Sequence, residues 1–266
     1  MCAMGCNCRV FFMKNSVLVC VILIVTLFSS VTCSATQLRF VAEDLYPLHF
    51  KDKNNQPDGF LVDVVNAVLD DCACAGKIEI MPQARAFREL QSQPNVVMMS
   101  LLKTPGREKN YLFLGSVFNA HAYLVGLKSN QFELFNLHSA RGLRVSTVRG
   151  YFSQRYLENA GFSLERDLVL APEPESLMKM LYKNRTDLVL TNTLHLDKEL
   201  NSIGLDPTKI EKKLHLPDFP NELHITANRK LENTLAIKLT NSLNAIKHNG
   251  QYQMLLTKWN LNEKAH

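Results

Sequence analysis

Residues 59–81 read GFLVDVVNAVLDDCACAGKIEIM, and the fold is decided by how this stretch divides. Leu61, Val64, Val65, Val68, Leu69 and Cys72 recur at i, i+3, i+4, i+7, i+8 and i+11, one face of an amphipathic helix. Lys77–Met81 follows as a short β-rich run. Upstream, Leu38–Ala42 reads as a strand, so the pattern is strand, helix, strand. Downstream, Ala84–Gln91 reads as helix, Val96–Leu101 as a buried strand and Ala122–Leu127 as another strand. The alternation then restarts with strand Leu143–Thr147, a glycine at Gly150 and a helix through Ala160. Strand Leu168–Ala171, helix Glu175–Tyr182 and strands Leu188–Thr191 and Glu222–Ala227 continue it. Leu235, Leu239, Leu243 and Ile246 share a helical stripe, which Asn249-Gly250 stops. Tyr252, Leu255, Leu256 and Trp259 form the last stripe, and Trp259 reads as core. Alternating strands and helices predict α/β architecture with largely parallel pairing. Two α/β lobes joined by strands, with no Gly/Ser or Pro linker between them, fit this order.

The composition bounds function. The chain has 266 residues, 46% hydrophobic and 21% charged, which is ordinary globular usage. Its formal net charge is +5, but Lys and Arg are scattered among acids with no basic run, which disfavours a nucleic-acid partner. Val17–Phe28 is a largely apolar run of 12 residues behind Lys14, too short for a membrane span and followed by Cys33-Ser34-Ala35. That layout predicts a secretory signal peptide over residues 1–35, cleaved after Ala35, and a periplasmic location. A lipoprotein modified at Cys33, with Ser30 spoiling the lipobox, and a retained anchor are the alternatives; Met13 is a more typical start than Met1. Five of the seven cysteines lie in this leader, leaving Cys72 and Cys74. The plainest reading makes Cys72 a buried helix position with Cys74 in the turn after it. A disulfide across C-x-C, which closes a tight ring, is the other.

Catalytic signatures are absent: there is no G-x-S-x-G, Walker A loop, G-x-G-x-x-G or helical H-x-x-x-H pair. No cofactor and no metal are expected, and binding leads over catalysis. Thr104-Pro105-Gly106-Arg107 reads as a helix start with Thr at the N-cap and Pro at the first helical position. A cation there opposes the helix dipole, and its guanidinium fork suits a carboxylate; a plain surface arginine is the bland alternative. Arg149-Gly150-Tyr151, between a strand and a helix, offers free N–H groups to an anion.

Taken together, these segments resemble the family 3 periplasmic solute-binding proteins, the polar amino-acid type of the type II periplasmic binding fold. Gly59-Phe60-Leu61-Val62-Asp63 resembles the family's G-F-x-V-D helix opening, and Ser100–Arg107 its segment ending T-x-x-R, continued to Phe118. Val145–Gly150 is similar to its second-lobe strand and turn. Asn184–Leu190 is similar to the strand that carries an aspartate, here Asp187, and Leu243–Trp259 to the terminal helices. The likeness covers nearly all of residues 37–260.

The resemblance implies two lobes, 36–124 plus 222–266 and 125–221, with Ala122–Leu127 and Glu222–Ala227 as crossing strands and a ligand cleft between. It implies a monomer that captures a small carboxylate-bearing solute, an amino acid or similar, for an ABC importer. A sensory role, or a cleft converted to a cyclohexadienyl dehydratase-like enzyme with Glu173 or Glu175 as acid, is the alternative. Arg107 aligns with the arginine that clamps the ligand α-carboxylate, and Ser100 with a position offering a backbone group. Leu102 stands where a Thr hydroxyl is common, Gly150 matches the second-lobe glycine, and Tyr151 replaces Ser or Thr. Asn192 occupies the place of the aspartate that holds the α-ammonium, with Glu43 or Asp44 as substitutes. Tyr46, before Pro47, stands at a ligand wall or packs in its loop. Arg85, in Pro82-Gln83-Ala84-Arg85-Ala86, which resembles the P-W-A-R-A of a divergent subgroup, either faces the cleft or is exposed to solvent.

Overall fold

The computed structural model describes residues 37–191 and 196–261. The predicted signal peptide and Asn192 lie outside the described residues. The first sheet contains β1 (Leu38–Ala42), β4 (Gly76–Ile80), β5 (Val96–Leu102), β6 (Tyr111–Asn119) and β12 (Glu222–Asn228), in the order β4-β1-β5-β12-β6. β1 pairs parallel with β4 and β5, whereas β12 runs antiparallel to β5 and β6. The second sheet has β7 (Tyr123–Leu127), β8 (Val145–Val148), β9 (Leu168–Ala171), β10 (Leu188–Thr191) and β11 (Ile210–His215), in the order β11-β7-β10-β8-β9. It too is mixed, parallel at β8–β9 and β8–β10 and antiparallel where β7 meets β10 and β11. A small hairpin of β2 (Phe50–Lys51) and β3 (Pro57–Asp58) precedes the first helix.

Helices cover both faces of each sheet, and the sequence shows why. In β5, Val97 and Met99 pack into one core while Val96, Met98 and Leu101 pack into another. A strand buried on both faces reads as a near-continuous apolar run, as VVMMSLL does with Ser100 its one polar residue. The first of these cores lies under α1 (Phe60–Asp71), α7 (Asn233–His248) and α8 (Gln251–Lys258). The second lies under α2 (Gln83–Ser92), through Ala86 and Leu90. Phe60 and Leu61 are fully buried, each contributing about 1.5–3 kcal/mol. In the second lobe α4 (Phe152–Asn159) covers one face through Leu157. α5 (Pro174–Tyr182) and α6 (Leu196–Ser202) cover the other through Leu177, Met178, Leu181 and Leu200.

Gly59 fixes where α1 begins. It sits at φ +130°, and a Cβ there would lie 2.5 Å from the Leu48 carbonyl oxygen. Asp63, in the first turn, accepts hydrogen bonds from Lys258 Nζ and Trp259 Nε1, both at 2.7 Å. The motif's Gly and Asp thus tie α1 to its loop and to α8. Cys72 and Cys74 are joined in a disulfide, Cα–Cα 5.2 Å, rather than left as free thiols. The left-handed Ala73 between them, φ +49°, turns the chain after α1 and brings both sulfurs to one side.

The chain passes between lobes twice, in the links at 120–122 and 216–221. The links are bonded to each other, Ala120 N–H to Asn221 O at 2.8 Å and Leu216 N–H to Ala122 O at 2.9 Å. β7 and β12 begin at these crossings and continue into opposite sheets. Leu102 packs against the cores of both lobes. Among the described residues no helix is long and apolar enough to cross a membrane.

Candidate functional site

A cleft of about 900 Å³ opens between the lobes. From the first lobe it is lined by the loop after β1, including Glu43, Asp44 and Tyr46, by Ala84, Phe87 and Arg88 of α2, and by Arg107. From the second come Arg149, Gly150 and Tyr151 after β8, Glu173 and Glu175 at the start of α5, and Glu199 of α6.

Arg107 lies in the one-turn helix α3 (Pro105–Glu108), with Thr104 at its N-cap and Pro105 behind it. Its Nη1 donates to the Leu102 carbonyl at 3.0 Å, and its guanidinium stands 5.6 Å from the Phe87 ring centroid. Burial pulls its pKa below the usual guanidinium value, helped by the positive charge of Arg155 and opposed by Tyr111. Among the described residues no carboxylate lies within ion-pair distance of it. A half-buried cation with most of its donors unspent is built to receive an anion.

The opposite chemistry gathers around Glu43. Burial, then the charges of Asp44 and Glu199, push its carboxyl up to about 7, while a hydrogen bond from Tyr151 opposes the rise. Tyr151 Oη donates to Glu43 Oε2 from the facing lobe. Burial and then the Glu43 charge hold the Tyr151 phenol far above its usual range, so it remains a donor. Glu199 is also raised by burial. The cleft is therefore bipolar, a guanidinium at one place and carboxylates at another.

The Glu43 loop is anchored from beneath by His49. Its Nδ1 lies 2.7 Å from the Glu43 carbonyl oxygen and its Nε2 2.6 Å from Ser100 Oγ. A carbonyl only accepts, so Nδ1 carries the proton and the Ser100 hydroxyl donates to Nε2. His49 is wholly buried, and burial lowers its pKa to about 4, so the ring is neutral at pH 7.

The residues read from the sequence fall into three groups. Arg107, Glu43, Tyr46, Gly150 and Tyr151 line the cleft. Tyr46 stacks at a tilt on Phe50, centroids 5.0 Å apart. Ser100 and Leu102 do not line it; they stand behind the wall, one holding His49 and the other bracing Arg107. Arg85 is exposed and lies off the cleft, because Ala84, Phe87 and Arg88 share the inward helical face and Arg85 is a third of a turn away. Gly150 adopts φ +79°, but its N–H donates to Gln154 Oε1 at 2.8 Å. Glu173 accepts from Ser176 and Glu175 pairs with Lys179. Sequence reading did not find His49 or Glu199, whose partners are distant along the chain. Among the described residues no group of three or more His, Cys, Asp or Glu side chains is placed to hold a metal ion.

Comparison with known proteins agrees with this architecture. A protein of Escherichia coli (strain K12) named for arginine binding in an ABC transporter is 27% identical over 254 residues, 90% of this chain and 98% of that protein. The structure of an ancestral arginine-binding protein bound to arginine superposes with a TM-score of 0.71 at 23% identity, covering 84% of this chain and 97% of that one. A histidine kinase sensor domain similar to periplasmic binding proteins superposes at 0.75 with 18% identity, covering 84% and 96%. At these identities the structural likenesses show the two-lobed fold. The sequence profile of the bacterial extracellular solute-binding proteins, family 3, matches residues 39–262, and the chain belongs to that family.

Proposed function

We propose that this protein captures a small solute bearing a carboxylate, an amino acid, between its lobes and delivers it to an ABC importer as a monomeric periplasmic component. The observation that carries the reading is Arg107, desolvated and without an acidic partner among the described residues, facing a cleft whose other charges include Glu43 and Glu199. A zwitterion or a cationic amino acid matches both poles: its carboxylate meets the guanidinium fork, and its ammonium or side-chain cation meets the carboxylates. Closure follows if the ligand touches both lobes, because only then does it favour the closed state. In this reading the lobes are 36–124 with 222–266 and 125–221. Relatives named for binding support capture over catalysis, and the cleft acids Glu173 and Glu175 already have partners.

The test is a melting-temperature screen of ligand-stripped protein against amino acids, dicarboxylates, polyamines and sugars. A ligand at 100 times its Kd adds about 2.7 kcal/mol, a shift of roughly 5–10 °C for a chain of this size. Stabilisation by amino acids supports the reading. Stabilisation by sugars or polyamines alone overturns it.

A further inference from the structure

Tyr151 and Glu43 belong to opposite lobes and are hydrogen-bonded to each other. We propose that this contact is a latch that holds the two lobes together, and that the latch loosens as the pH rises. The inference goes beyond ligand capture and does not depend on which solute is captured.

The geometry sets the sign. Closing the lobes buries the Glu43 carboxyl, which already has Asp44 beside it, and brings Glu199 of the second lobe toward it. Among the described residues no lysine or arginine forms an ion pair with it, and Arg107 is turned to Leu102 and Phe87. The Tyr151 hydroxyl is a donor in either protonation state of Glu43. An ionised Glu43 therefore keeps its hydrogen bond but loses water and gains the like charge of Glu199. When the lobes part, the carboxyl returns to solvent and to an ordinary acidity. The closed state thus holds the higher pKa and binds the proton more tightly. Closure is favoured most below the solvated value of 4.5 and is lost as pH rises through about 7. That interval corresponds to roughly a hundredfold or more in the closed-to-open ratio. Glu199, also raised by burial, adds to the same slope. His49, packed beneath the loop, is neutral above about pH 4 and so does not titrate across most of the window.

Small-angle X-ray scattering of the ligand-stripped chain tests the latch without any ligand, so its outcome is separate from that of the solute screen. The radius of gyration of the wild type should be small at pH 5 and grow between pH 6 and 8. Glu43→Gln, which cannot ionise, should stay compact throughout. Tyr151→Phe should be expanded at pH 5. Circular dichroism establishes that each variant is folded; if Tyr151→Phe is not, the Glu43→Gln series decides alone. A wild-type radius that does not change with pH, or a Glu43→Gln protein that expands as the wild type does, overturns the proposal.

Discussion

Replacing Arg107 with methionine separates what this side chain does for the ligand from what it does for the fold. Methionine preserves much of the length and packs against Phe87, but it removes the charge. In the empty protein the substitution loses one hydrogen bond to the Leu102 carbonyl, about 1 kcal/mol. It also removes a desolvated guanidinium that no acid compensates among the described residues, and burying an uncompensated charge is costly. These effects oppose each other, so the unliganded melting temperature should move by only a few degrees in either direction. In the complex the balance is different. Two charge-assisted hydrogen bonds to a carboxylate are worth roughly 1.5–3 kcal/mol each. Losing about 3–6 kcal/mol raises Kd by roughly 10²–10⁴-fold at about 1.4 kcal/mol per decade. Calorimetric titration with the best ligand from the screen reads the second effect, and thermal melts read the first. Arg107→Lys keeps charge without the planar fork and should fall between. A methionine variant that binds within threefold of wild type would refute the reasoning, as would one that loses stability heavily while binding normally.

Two further outcomes follow from the loop and its buried histidine. Gly59→Ala forces a Cβ to within 2.5 Å of the Leu48 carbonyl at a φ of +130°; strain and overpacking should cost about 2–4 kcal/mol, read as a drop in denaturant midpoint. His49 has its pKa lowered to about 4 from 6.5, so the unfolded chain takes up the proton first and the His49 contribution disappears as pH falls between those values. The stability gap between wild type and His49→Gln should narrow by about 3 kcal/mol from pH 7 to pH 4. A gap that stays constant in urea melts contradicts the buried, neutral assignment.

The elements readable from sequence are those whose burial imposes a period. α1 and β5 bury 8 of 12 and 5 of 7 residues and are plain in the sequence. β11, IEKKLH, sits at a sheet edge with only Ile210 buried, so its charges hide the strand. α6 is hidden in the sequence for a related reason, since Leu200 is its one buried position. The site divides along the same line. Arg107 is legible as a cation at a helix start, while its role as a clamp comes from the family resemblance. His49 is not, because its meaning lies in Ser100, 51 residues away. Tyr151 stands out in the sequence by its position alone, because its contact with Glu43 spans 108 residues and no local pattern encodes it. Arg85, a cleft candidate with solvent exposure as the alternative, is exposed, and helical phase puts Phe87 and Arg88 on the inward face.

The central claim is that a ligand carboxylate is what Arg107 recognises. Titration of the stripped protein with an amino acid and with its methyl ester, which differ in that one charge, tests it most directly. The account predicts stoichiometric binding of the acid and at least a hundredfold weaker binding of the ester. Equal affinity for the two would contradict it.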